Sequence, residues 1–181
     1  MESHNLSPNH PPVIIMESAD RQTWVTIHKV LLAHHSQRYR QVLNTVPGGG
    51  DFIRIVPPFY GDVLRLFVDW VYSKNEDGVP KDMKEVASRY AFRVFVQAWM
   101  FGNYIQAPEF QNAITFYIMC MSPHQSNWFE EMETQWDHIS RGTVLESLLL
   151  NLLFKKLFES SAKDMKAYLK RLPPNTAQRV I

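Results

Sequence analysis

The side chains best suited to chemistry gather between His28 and Tyr39, in the stretch HKVLLAHHSQRY, where His28, His34, His35 and Ser36 follow one another closely. An imidazole beside a hydroxyl can serve as the base of a nucleophilic pair, and adjacent imidazoles can ligate a metal. The spacing favours neither use. No carboxylate is arranged to orient His28, and His34, His35 and Cys120 lack the closely spaced ligand pairs that anchor zinc. Gly48-Gly49-Gly50 has the look of a phosphate loop, but no Gly-Lys-Ser/Thr follows it. The expectation is therefore a non-enzymatic chain with no catalytic residue, no metal, no cofactor and no small-molecule substrate. His28 reads instead as a corner residue, its imidazole bonding backbone where a strand passes into paired helices. Ser36 reads as a helix N-cap, its hydroxyl accepting from a first-turn N–H.

The elements that must position this corner follow from the apolar pattern. Pro11-Pro12 holds the backbone extended into a strand over Val13, Ile14, Ile15 and Met16; residues 17–21 turn, and Trp24 to Ile27 return as a second strand ending on His28. Lys29 to His35 forms a first short helix. Tyr39, Val42, Leu43 and Val46 recur at helical spacing and predict one apolar face behind Ser36, ended by Pro47 and the glycines. Residues 51–56 alternate as a third, half-buried strand, closed by Pro57-Pro58. Tyr60, Val63, Leu64, Phe67, Trp70 and Val71 predict a core-facing aromatic helix, and a longer pattern carries Val86, Tyr90, Val94, Ala98 and Trp99 to about Tyr104. Pro108 suits the first turn of a further helix carrying Phe110, Ala113, Ile114, Tyr117, Ile118 and Met121.

The last third predicts three more helices. Asn127 with Glu130 forms a capping box ahead of Trp128, Phe129, Met132, Trp136 and Ile139, with Gly142 as its stop. Thr143 with Glu146 opens a leucine-rich helix, and Ser161 with Asp164 opens one running to Leu172. Charge segregates across this region. Residues 123–142 hold four acids and Arg141, and residues 143–181 hold seven Lys/Arg against three Asp/Glu. Glu130, Glu131, Glu133 and Asp137 form a candidate acidic docking face, with solvated helix faces as the plainer reading of both charge runs.

Hydrophobic residues make up 45% of the 181 residues and the net charge is +1, which fits a packed domain without strong attraction to polyanions. Nucleic acid is not an expected partner, since no recognition-helix, zinc-finger or RNA-binding signature accompanies the basic residues. No apolar run is long enough for a membrane span, and the first residues lack the basic and apolar blocks of a signal peptide. The expected setting is cytoplasmic or nuclear.

Three separated motifs carry a family resemblance. They are His28-Lys29-x-Leu31-Leu32-x-x-x-Ser36-x-x-Tyr39, then Leu66-Phe67-Val68-Asp69-Trp70-Val71-Tyr72, then the stretch from Ala98 to Ala113, AWMFGNYIQAPEFQNA. In this order, around three short strands, they resemble a BTB/POZ domain, and the third is similar to the short BTB proteins of filamentous fungi. The resemblance implies an α+β fold, a three-stranded sheet capped by about five helices, over residues 13–122. A helical extension, 123–172, would pack on it, with tails at 1–12 and 173–181. It marks His28, Lys29, Leu32, Ser36, Tyr39, Trp70 and Tyr72 as structural motif residues. It also implies a protein–protein interaction module or scaffold that forms a homodimer, with Val13, Ile14, Ile15, Val30, Leu31 and His34 as the self-association face. The alternative role, adaptor for a cullin scaffold, usually goes with a hydrophobic-x-Glu motif before the third strand, where this chain has Val46-Pro47-Gly48-Gly49-Gly50.

Overall fold

The computed structural model describes residues 13–45, 52–73, 89–121 and 128–172. Strands β1 (Val13–Glu17), β2 (Trp24–His28) and β3 (Phe52–Ile55) form one mixed sheet in the order β2-β1-β3. Among the described residues there are eight α-helices, so the chain is α+β and mainly helical. They are α1 (Lys29–His35), α2 (Gln37–Thr45), α3 (Gly61–Ser73), α4 (Phe92–Ile105), α5 (Pro108–Met121), α6 (Trp128–Glu133), α7 (Val144–Glu159) and α8 (Ala162–Arg171).

β1 runs antiparallel to β2, with Val13 opposite His28 and Glu17 opposite Trp24, and parallel to β3. Side chains alternate across a strand, so this register sends Ile14, Met16 and Ile27 to one face, where all three are fully buried. Val13, Ile15, Glu17, Trp24, Thr26 and Arg54 belong to the other face. The predicted turn over residues 17–21 is one residue shorter, because Glu17 continues the ladder and Arg54 Nε donates to its carboxylate at 2.7 Å. Ser18 then closes the hairpin: its N–H donates to the Thr23 carbonyl at 2.8 Å, and its hydroxyl accepts the Thr23 N–H at 3.0 Å. The Ser18 hydroxyl also bonds Asp20, holding that carboxyl below the usual range.

The contacts divide the described chain into two compact units, residues 13–73 with 101–111 and residues 89–100 with 112–172. In the first, α3 lies against β2, and Gly61 approaches so closely that an added Cβ would meet the Thr23 side chain, Cγ2 included at 2.7 Å. Phe67 on α3 meets Phe101 and Phe110 edge-on at 5.4 and 5.1 Å, an aromatic arrangement that adds to the burial each ring already contributes. The predicted apolar face of α3 is buried as expected except at Tyr60, which precedes the helix and is 59% exposed. On α2 only Tyr39 and Leu43 are buried, while Val42 is 42% exposed. One i, i+4 pair suffices to seat so short a helix, so the wider face predicted through Val42 is corrected; Val46 and Val86 lie outside the described residues.

In the second unit Phe95 meets Tyr117 at 5.7 Å and Phe92 meets Trp128 at 5.8 Å. On α7, Leu145, Leu149, Leu153 and Leu157 repeat at four-residue spacing and are buried. The Thr143 hydroxyl accepts from Glu146 N–H, the first half of the predicted capping box, while the Glu146 carboxylate accepts from the N–H of Gly142, one residue before the cap, at 2.6 Å. Ser161 likewise accepts from Asp164 N–H at the start of α8. The helix predicted from Trp128 through Ile139 is interrupted. It stops at Glu133, and Trp136–His138 forms a single 3-10 turn. Thr134 turns its hydroxyl back to the Glu131 carbonyl, a local bond that competes with the next helical turn, and Gln135 accepts from Gln97 on α4 at 3.0 Å. The proposed cap at Asn127 lies outside the described residues.

Candidate functional site

The corner at His28 is built by its backbone. His28 is the extended residue before α1, and its N–H donates to the Tyr72 hydroxyl at 3.0 Å. The same hydroxyl lies 2.6 Å from His28 Nδ1. A phenol hydroxyl can accept and donate, so the one Tyr72 oxygen serves both the backbone N–H and the ring of His28. The expectation that the ring would bond backbone is thus corrected. The partner is a phenol 44 positions away, and α3 carries it to the end of β2.

Ser36 does two jobs at the α1–α2 junction. Its backbone N–H closes α1 on the Leu32 carbonyl at 2.9 Å, and its hydroxyl caps α2 by accepting the Tyr39 N–H at 3.0 Å. Fully buried, that hydroxyl then donates to the Ile105 carbonyl at 2.6 Å. Next to it Gln37 N–H donates to the Gln106 carbonyl at 3.2 Å. Gln106 sits at φ 54, just past the end of α4, and the bonds Ala107 N–H to Gly102 and Gln106 N–H to Asn103 complete a left-handed helix stop before Pro108. Two corners, α1–α2 and α4–α5, are therefore joined by main-chain and hydroxyl bonds.

Around this joint Leu32 and Tyr39 are buried, and Trp70 lies 5.1 Å from Phe110 and 4.9 Å from His35. Burial pushes the Tyr39 hydroxyl up to about 12, helped by nearby Tyr104 and opposed by Arg38. His35 Nδ1 stands 3.6 Å from Glu109, and Arg40 donates from Nε and Nη2 to the Ala33 and His34 carbonyls at the end of α1, both at 2.8 Å. Lys29 opens α1 and is half-buried.

Neither a family model nor a curated protein matches the chain.

Of the six residues assigned to a self-association face, five reach solvent. Val30 is 71% exposed and His34 is exposed, while Val13, Ile15 and Leu31 are half-buried. Ile14 is corrected: it is fully buried on the opposite side of the sheet, because successive strand residues point to opposite faces. Trp24, absent from the expectation, shares the face of Val13 and Ile15 and is 73% exposed. Its position in the alternation of β2 was the available signal. The loop on which the cullin question turned, 46–50, lies outside the described residues.

On the candidate acidic face the acids are partly engaged by other residues of the same unit. Arg171, in the last turn of α8, donates to Glu133 at 2.6 Å and stands 3.6 Å from Glu130, and the Glu133 bond raises its pKa. Glu131 accepts the Arg93 N–H at 3.0 Å. Three of the four acids are thus engaged within this unit, and Asp137 is exposed. Local charge counting missed this because the bonds join residues 38 positions apart. Among the described residues no group of His, Cys, Asp and Glu could hold a metal, and no helix is long and apolar enough to cross a membrane.

Proposed function

We propose that this chain is a non-enzymatic protein–protein interaction module of the BTB/POZ type, which self-associates and recruits other proteins. One observation carries the reading: the first and third motifs of the resemblance meet at a single joint, Ser36 on Ile105 and Gln37 on Gln106. Separate stretches that resemble one family are thereby parts of one structural device, as a common fold requires. The contact surface of the proposal is the outer sheet face and the start of α1, with Trp24, Val30, Val13, Ile15 and Leu31 as its apolar part. Covering side chains of this size stabilises an interface by roughly 1.5–3 kcal/mol each when burial is complete.

Light scattering coupled to gel filtration tests the proposal. At tens of micromolar the expected particle has twice the mass of the chain. A strict monomer at that concentration overturns self-association.

A further inference from the structure

We infer that Arg38 is the recognition point for acidic segments of partner proteins, held in place for that use by the ring of Tyr104. The inference deepens the interaction reading and rests on it, naming what recruitment would select. Arg38 is exposed in the first turn of α2, with its guanidinium carbon 4.2 Å from the centroid of the Tyr104 ring. Tyr104 is itself backed by Phe59, ring centroids 5.8 Å apart. The contact with the ring restrains the guanidinium, a planar fork whose N–H groups suit both oxygens of a carboxylate.

The contrast with other arginines gives the argument its direction. Arg40 is bonded to carbonyls, Arg54 to Glu17, Arg65 to Asp62 at 3.7 Å, and Arg171 to Glu130 and Glu133. Arg38 meets no carboxylate among the described residues, and its contact with the Tyr104 ring is closer than that of Arg171 with Phe129, 5.5 Å from the ring centroid. The surrounding stretch from Lys29 to Thr45 contains Lys29, Arg38 and Arg40 and no Asp or Glu, Glu109 approaching it at His35, and its net positive charge complements an acidic ligand. One helical turn beyond Arg38 stands Val42, 42% exposed. The fitting occupant is a peptide segment that offers Asp or Glu to Arg38 and an apolar side chain to Val42. A polynucleotide is the poorer fit, because it asks for a row of free cations and Arg40 is already bonded.

The test is fluorescence anisotropy on the full chain with three labelled probes: a short peptide alternating Glu with Leu, the same peptide with Gln for Glu, and a short single-stranded oligonucleotide. The Glu–Leu peptide is expected to bind and the Gln–Leu peptide to fail. Arg38→Gln weakens binding about tenfold, as loss of a charge-assisted bidentate pair does. Arg38→Lys weakens it several-fold, and Arg65→Gln leaves it unchanged. The inference is overturned if wild type ignores the Glu–Leu peptide, if either Arg38 variant binds like wild type, or if the oligonucleotide is the tighter Arg38-dependent ligand. Light scattering on the same samples separates the two claims. A dimer without Arg38-dependent peptide binding overturns this inference alone, and a monomer that retains such binding overturns self-association alone.

Discussion

The two compact units differ in how deeply their ion-paired acids sit. In residues 13–73 with 101–111 the decisive polar side chains are inside: Ser36 is fully buried, Glu17 is 6% exposed, and each bonds across a long sequence separation. In residues 89–100 with 112–172 the interior is mostly aromatic and leucine-rich; the buried Glu146 carboxylate serves a helix start and the buried Gln135 pairs with Gln97, while the Arg171–Glu133 ion pair has side chains 43% and 28% exposed. A buried polar group left without its partner keeps the full desolvation penalty, whereas an exposed ion pair is replaced by water. The first unit should therefore depend on a few irreplaceable atoms, and the second on total apolar area.

The largest effect is expected at Ser36. Ser36→Ala removes the cap of α2 and strands the Ile105 carbonyl, which together should cost about 2–4 kcal/mol in urea unfolding. A loss below ~1 kcal/mol would break the contrast. Next comes Gly61→Ala, whose methyl would collide with Thr23; about 1–3 kcal/mol is expected, and Thr23→Gly in the same chain should recover part of it.

Tyr39 sharpens the comparison through pH. Its hydroxyl, ordinarily near 10.0, is pushed up to about 12 by burial, so the folded state favours the neutral phenol. That contribution is complete below pH 10 and is lost as pH rises from 10 to 12, at most ~3 kcal/mol. Alkaline unfolding followed by circular dichroism should show Tyr39→Phe losing less stability over this window than wild type. Smallest of all is Arg171→Ala in the second unit. Its melting midpoint should shift less than that of any variant above, and the shift should shrink further in molar salt.

The same contrast explains what could be read from the residues alone. Periodicity locates the three strands and the helices, because burial of Ile14, Met16, Phe67 or Leu149 leaves a regular trace in the sequence. Local caps at Ser36, Thr143 and Ser161 are equally legible, since a hydroxyl three residues ahead of its N–H partner is a short-range signal. Bonds that span the chain leave no such trace. Tyr72 on His28, Arg38 over Tyr104 and Arg171 on Glu133 depend on where helices come to lie, and each required the structure. The break after Glu133 was hidden for a different reason: apolar residues continue at helical spacing through Ile139 while the backbone bonds do not.

Sedimentation equilibrium of wild type beside Val30→Asp addresses the central claim most directly. Val30 is 71% exposed, so a charge there leaves folding intact, and the account predicts a dimer for wild type and a dissociation constant raised at least about tenfold in the variant. Equal association of the two proteins, with matching thermal unfolding, would contradict it.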